Sequence, residues 1–128
     1  MGHKYLEELE NYDGEFWGLS PDSREPQWRQ EQKEYGFDST ETWNLDSTFY
    51  LWLYERLRMY QDVTIVNLHY HTFDYKGCLY YQDELIEMML ERLRFCFSDV
   101  YDDFDESQYE YVHEIEHIWA IILPAMWW

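Results

Sequence analysis

Apolar residues recur with helical spacing along three stretches of the chain, and polar residues occupy the positions between them. The first stretch, 46–60, has apolar side chains at i, i+3, i+4, i+8 and i+11: Phe49, Trp52, Leu53, Leu57 and Tyr60. This is one stripe on a 3.6-residue period, so it predicts an amphipathic helix. Asp46 can cap its start, because a carboxylate there accepts a backbone amide hydrogen of the first turn. Trp43 and Leu45, just outside that cap, are predicted to fold back as a hydrophobic staple.

Two later stretches predict two more helices, at about 82–97 and 105–123. The stripe of the second helix comprises Leu85, Met88, Met89, Leu93, Cys96 and Phe97, with Glu84, Glu87, Glu91, Arg92 and Arg94 on other faces. The third helix starts at Asp105, which forms a capping-box-like pattern with Gln108, and it ends before Pro124. We expect the stripes to meet in one core that contains Trp52, Leu53, Leu57, Met89, Leu93, Val112, Ile115 and Trp119.

The first 35 residues predict an arm on this helical core. His3 to Tyr12 reads as a short amphipathic helix with Tyr5, Leu6, Leu9 and Tyr12 on one side. Asp13-Gly14 ends it, and Pro21 and Pro26 are expected to keep the following stretch irregular. Trp17 and Trp28 are expected to pack onto the core, with exposed anchors for a partner as the alternative.

A short β-structured part is predicted between the first two helices of the core. Val63–Val66 is a β-like run, and residues 69–81 resemble a hairpin whose turn is Asp74-Tyr75-Lys76-Gly77. On such a strand His69 and His71 point the same way, towards solvent. The predicted fold class is therefore mainly α: a three-helix bundle-like single domain, 1–128, with a small β-hairpin. Residues 1–35 form its N-terminal helix and loop arm, and 36–128 its helical core.

The composition is that of a chain that folds in spite of its charge. Of its 128 residues, 46% are apolar and 21% are aromatic, whereas disordered acidic chains are poor in aromatics. The two cysteines, Cys78 and Cys96, do not suggest a disulfide scaffold. The sequence contains neither a secretory signal pattern nor an apolar run of the ~20 residues that cross a bilayer. We expect a reduced, cytoplasmic protein.

The formal net charge is −18, and it is unevenly distributed. No Lys or Arg follows Arg94, whereas the carboxylates that follow are Asp99, Asp102, Asp103, Asp105, Glu106, Glu110, Glu114 and Glu116. Such a surface repels nucleic acid and anionic membranes and attracts basic proteins, so we expect a basic nucleic-acid-binding protein as partner. The alternative is that the carboxylates only keep the chain in solution.

The spacing of these carboxylates favours a partner. On a helix Glu106, Glu110 and Glu114 lie about 5–6 Å apart along one side, close to the spacing of successive phosphates on a nucleic-acid strand. The candidate partner-binding residues are Asp99, Asp102, Asp103, Asp105, Glu106, Glu110, Glu114, Trp17, Trp28 and Trp128. The apolar end, Ala125–Trp128, is expected to pack or to mediate contact, including a homodimer through its Trp pair.

One catalytic motif occurs in the third helix. His113-Glu114-Ile115-Glu116-His117 satisfies H-E-x-x-H, in which two histidines one turn apart bind zinc and the glutamate is a general base. Beyond His117 the chain offers no third ligand, and the motif also describes an ordinary polar helix face. A small metal-dependent hydrolase is therefore the alternative function, and Glu110 or the His69 and His71 pair could complete a non-catalytic metal site. We expect no enzyme activity, metal or cofactor.

Residues 36–60 also carry a resemblance. Gly36-Phe37, Glu41-Thr42-Trp43-Asn44-Leu45-Asp46, Thr48 and Arg56-Leu57 resemble a recurring pattern in small phage and prophage proteins of unassigned activity. Glu55 stands where those proteins often have proline, so the helix should continue without a kink. The resemblance implies a phage origin and a small helical fold, and brings no catalytic residues with it. With the acidic surface, it favours an inhibitor of a host defence protein, such as a CRISPR effector or restriction enzyme, whose carboxylates mimic phosphates.

Overall fold

The structure is a computed structural model that describes residues 2–10 and 24–127. Within those residues it contains a 3-10 turn at Lys4–Glu8, four α helices and one antiparallel pair of strands. The elements are α1 (Glu25–Tyr35), α2 (Leu45–Val63), β1 (Thr72–Tyr75), β2 (Cys78–Tyr81), α3 (Gln82–Cys96) and α4 (Tyr109–Ile122). The prediction of a mainly α fold with a small hairpin is confirmed.

Helix α3 lies at the centre of the core, because it packs against α2 on one side and α4 on the other. Five of its apolar side chains have no exposed surface: Leu85, Ile86, Met89, Leu90 and Leu93. Of the eight predicted core residues, Leu53, Leu57, Met89, Leu93, Val112 and Ile115 are buried and Trp119 is half-buried at the edge. Trp52 is the exception, because α2 turns Tyr50, Leu53 and Tyr54 inward and leaves Trp52 42% exposed, with the Arg56 guanidinium over its ring.

The N-terminal residues dock onto α2 as a 3-10 turn rather than as the predicted longer helix. Leu6 and Leu9 are buried, as their spacing predicts. The Glu8 carboxylate accepts hydrogen bonds from Arg58 Nε at 2.8 Å and from the Tyr54 hydroxyl at 2.7 Å. The predicted features at Tyr12, Asp13-Gly14, Trp17, Pro21 and Trp128 lie outside the described residues.

Helix α1 occupies part of the stretch that the sequence predicts to be irregular. Pro26 stands in its first turn, where the missing N–H would have no helical partner in any case. The helix ends at Gly36, which has φ +85° in the left-handed region that glycine tolerates. Trp28 is 5% exposed and packs edge-to-face on Trp43 with ring centroids 5.7 Å apart, so it is not an exposed anchor.

Helix α2 begins one residue earlier and ends three residues later than predicted. Its N-cap is Asn44, which leaves Asp46 in the first turn rather than at the cap. The predicted staple is wrong, because Leu45 is 63% exposed and Trp43 packs on Trp28. The helix absorbs Val63, and residues 64–66 form no strand.

The predicted hairpin is confirmed, with Thr72 opposite Tyr81 and Tyr75 opposite Cys78. Lys76 and Gly77 have φ +54° and +82°, as a two-residue type I′ turn requires. His69 and His71 are exposed, as predicted, but they precede β1 and therefore do not share a strand face. The His69 ring stacks on Tyr81, and its Nδ1 lies 2.9 Å from Asp83.

Asp105 starts the third predicted helical region by accepting a hydrogen bond from the Ser107 backbone N–H at 3.0 Å, which begins a 3-10 turn ahead of α4. Gln108 does not complete a capping box, because its side chain bonds to the preceding loop instead. Pro124 lies in a 3-10 turn after α4. Among the described residues no helix is both long enough and apolar enough to span a bilayer.

Candidate partner-binding surface

The loop between α3 and α4 and the first turns after it carry six carboxylates, which we call the acidic segment: Asp99, Asp102, Asp103, Asp105, Glu106 and Glu110. All except Asp105, which is half-buried, are exposed. The loop is tied to the start of α4, because Gln108 accepts from the Asp102 backbone N–H at 2.8 Å and donates to the Val100 carbonyl at 3.1 Å. The Tyr109 hydroxyl donates to the Asp103 carbonyl. The backbone that carries the carboxylates is therefore held by several hydrogen bonds.

Six of the Lys and Arg side chains in the described residues pair with carboxylates outside the acidic segment. Between residues that the structure describes, the ion pairs of these side chains are Arg29–Glu25, Arg56–Glu55, Arg58–Glu8, Arg58–Asp62, Lys76–Glu114, Arg92–Glu91, Arg92–Glu114 and Arg94–Glu87. Over 2–10 and 24–127, none of the ion pairs includes a carboxylate from 99–110. The negative charge of the acidic segment is thus uncompensated within this part of the chain.

The negative charge of the acidic segment helps to raise the pKa values of two neighbouring groups, Glu10 and Tyr101. The Asp99 carboxylate, through a hydrogen bond and through its like charge, raises the pKa of Glu10 above its ordinary value. Burial, followed by the charge of Asp103, raises the pKa of Tyr101 to about 12. The charges of Asp99 and Asp103 therefore act on one N-terminal carboxyl group, that of Glu10, and on Tyr101 in the loop.

Glu114 does not belong to this surface, although the sequence predicts it there. Its carboxylate turns inward and accepts from the Tyr75 hydroxyl at 2.8 Å, from Arg92 at 3.2 Å and from Lys76 at 3.3 Å. Burial by itself would raise the pKa of Glu114, but these three donors outweigh burial and hold that pKa below its ordinary value. Arg92 is 9% exposed, so its predicted position on a face of α3 other than the buried stripe is also wrong.

The H-E-x-x-H motif spans two faces of α4. His113 and His117 are exposed, and His113 Nδ1 lies 3.0 Å from a carboxylate oxygen of Glu116. Glu114 would have to leave its three hydrogen-bond donors before it could act as a general base. Among the residues that the structure describes, no three or more His, Cys, Asp and Glu side chains are grouped as a metal site would require.

An exposed aromatic side chain stands in the middle of the acidic segment. Phe104 is 92% exposed, and Val100 in the same loop is 68% exposed. The Phe104 backbone N–H donates to the Asp102 carboxylate at 2.9 Å, which fixes the loop around it. Phe104 is not among the predicted site residues, because its only signal in the sequence is an apolar residue between carboxylates in a stretch without helical or strand periodicity. Of the predicted aromatic anchors, Trp28 is buried and the other two lie outside the described residues.

The arrangement can bind a surface of opposite charge that also has room for one apolar side chain. No family model matches the chain, and comparisons with curated proteins and with solved structures gave no match. The acidic segment and its exposed phenylalanine are therefore the features from which a function can be argued.

Proposed function

We propose that the chain is a phage-encoded inhibitor of a host nucleic-acid-handling defence protein, of the anti-CRISPR or anti-restriction type. It acts in the host cytoplasm by binding rather than by catalysis. The observation that carries this proposal is the acidic segment, whose six carboxylates form no ion pair within the described chain. The phage origin rests on the resemblance of residues 36–60.

Carboxylates can replace phosphates in a basic groove because both present negatively charged oxygens to Lys and Arg. Attraction between the acidic segment and such a groove increases the association rate and makes it sensitive to salt. The hydrogen bonds from Gln108 and Tyr109 reduce the ordering cost of binding, since the loop is already tied to α4.

Phe104 adds a contact that charge alone does not provide. Side chains that contribute most to protein interfaces are large and lose their water on binding. A phenylalanine that is 92% exposed among carboxylates can do this in a groove whose aromatic platform or apolar floor ordinarily receives a base.

The test is to neutralise the acidic segment without changing its shape. In the quadruple variant Asp102→Asn, Asp103→Asn, Glu106→Gln and Glu110→Gln, the side chains keep their size and their acceptor oxygens. The affinity for a partner captured from bacterial lysate is measured at about 50 and about 200 mM salt, a range over which phosphate-like contacts weaken strongly. We expect a loss of about tenfold or more, together with a weaker salt dependence.

The matched control removes the same charge elsewhere, with Glu7, Glu34, Glu87 and Glu91, all exposed, changed to Gln. It should bind nearly as tightly as the unchanged chain. Unchanged affinity in the quadruple variant, with an intact fold, would contradict the proposal. Loss of binding in Trp17→Ala or Trp128→Ala instead would indicate an aromatic-anchored interface.

A further inference from the structure

A cleft lies beside the acidic segment, between the first turns of α2 and the loop that follows α3. It consists of two adjoining hollows with volumes of about 340 and 220 Å³. Both hollows are lined by Asp46, Tyr50, Tyr101 and Asp103. The larger hollow continues to Tyr109 and His113, and the smaller one to Cys96.

The lining of the cleft has the chemistry of a cation site. Two carboxylates from separate elements, Asp46 and Asp103, accompany three tyrosines. None of the residues that line either hollow is Lys or Arg. Within the described ranges neither carboxylate forms an ion pair, so no cation of that part of the chain neutralises them. Aromatic faces attract cations and carboxylates pair with them, which makes the combination specific for a positively charged group.

The raised pKa of Cys96, which lines the smaller hollow, agrees with a negative electrostatic potential in the cleft. Burial is the main cause that raises the pKa of the Cys96 thiol to about 12, and Glu116, Asp103 and Asp46 raise it further. Tyr50 points its hydroxyl at Glu116, to which it donates a hydrogen bond. Three carboxylates therefore act on one small region beneath the loop.

We propose that this cleft receives an arginine side chain of the partner, an inference that rests on the proposed function and supplies its specific contact. A guanidinium is planar, stacks on tyrosine rings and can bond two carboxylates at once, whereas an ammonium is a more strongly hydrated point charge. The volume of the larger hollow is sufficient for one such side chain. Arginine is also over-represented where proteins recognise phosphates by two parallel hydrogen bonds.

The test uses a probe that does not require the partner. The isotope-labelled full chain is titrated with N-acetyl-arginine methylamide, and backbone amide shifts are followed by two-dimensional NMR. We expect shifts at Asp46, Tyr101, Asp103 and Tyr109, and weaker binding of the matching lysine compound. The double variant Asp46→Asn and Asp103→Asn should bind the arginine probe about three- to tenfold more weakly, because two ionic contacts are lost.

Glu7→Gln with Glu34→Gln is the control, since both residues are exposed and neither lines the cleft. The single variant Asp103→Asn repeats the test should the double variant unfold. Shifts outside the cleft, unchanged affinity in the Asn variants, or tighter binding of the lysine compound would overturn the inference. If the probe fails to bind at the cleft but the quadruple variant of the acidic segment still loses affinity for the captured partner, the proposed function stands without the arginine site. If the probe binds at the cleft but the quadruple variant keeps its affinity for the partner, the arginine site stands and the proposed function fails.

Discussion

Glu114 shows how far the role of a single side chain depends on its neighbours in space. The sequence assigns it to an acidic row or to a zincin motif, and it assigns Arg92 to a face of its helix other than the apolar stripe. Arg92 follows Leu85 and Met89 at helical spacing, so it lies on the buried side of α3 and meets Glu114 across the contact with α4. The helical spacing alone predicts that Arg92 is buried, but a charged residue is ordinarily expected on an exposed face.

Glu114→Gln should lower the free energy of unfolding at pH 7 by about 1–3 kcal/mol, because Arg92 and Lys76 lose their charged acceptor. The pKa of Glu114 is lowered in the folded state, so its contribution is present above the unfolded value of about 4.5. It is lost as the pH falls through the lower folded value. Urea unfolding should therefore show the difference between the two proteins shrink as the pH falls below about 4.5.

Glu91→Gln is the control for that measurement, since Glu91 is exposed and lies 3.8 Å from the same arginine. Its effect should be small at any pH, as for exposed ion pairs in general. An equal cost for the two substitutions, or a difference that does not change with pH, would show that Glu114 has no special role.

Phe104→Ala separates binding from stability. The side chain is 92% exposed, so its removal should leave the unfolding midpoint nearly unchanged. Affinity for the captured partner should fall about tenfold or more if Phe104 is an anchor. Ile65→Ala is the comparison, because Ile65 is 83% exposed and lies outside the acidic segment. Equal effects of the two changes on binding would exclude an anchoring role.

The helices illustrate what an apolar stripe predicts well and what it does not. The stripe of α3 predicts its bounds within one residue. The predicted turn, Asp74-Tyr75-Lys76-Gly77, lies one residue early, because Lys76 and Gly77 are the two central residues of the observed turn. The sequence does not predict helix α1, because Pro26 indicates irregular structure within a stretch of chain, whereas here it stands where a helix starts. The sequence predicts too early an end for α2, because Val63 has a weak helix preference and opens a β-like run, whereas in the structure it continues the helix.

The candidate site was only partly predictable for the same kind of reason. The composition indicates the acidic segment directly, since no Lys or Arg follows Arg94. The cleft depends on a fold that brings Asp46, at the start of α2, beside Asp103 in the later loop. No local sequence pattern predicts that Asp46 and Asp103 lie close together. The exposure of Phe104 likewise depends on how the loop is hydrogen-bonded to α4.

Helix α4 carries a prediction about metal. Because Glu114 is engaged by three donors and His113 lies against Glu116, we expect elemental analysis of the purified protein to find no stoichiometric zinc. A chelator should leave the melting temperature unchanged. One bound metal per chain that disappears in His113→Ala would contradict this and would favour the metal-dependent hydrolase.

For the molecule as a whole, stability depends on the core that α2, α3 and α4 share. Leu57 is 1% exposed and Leu93 has no exposed surface. Replacing either with Ala should cost about 2–5 kcal/mol, through lost burial and the cavity left behind. Met59→Ala, on the exposed side of α2, should cost much less. An unchanged urea midpoint in Leu57→Ala or Leu93→Ala would mean that the helices pack differently.

The whole molecule is also electrically asymmetric, since its described ion pairs lie outside the acidic segment. Phosphate mimicry requires that this segment and nucleic acid occupy the same groove of the partner. The most direct measurement is therefore competition, in which labelled protein bound to its captured partner is titrated with an oligonucleotide that the partner binds. We expect mutual exclusion, with the apparent Kd rising in proportion to oligonucleotide concentration and no ternary complex. A stable ternary complex, with the protein's affinity unchanged by saturating oligonucleotide, would contradict mimicry.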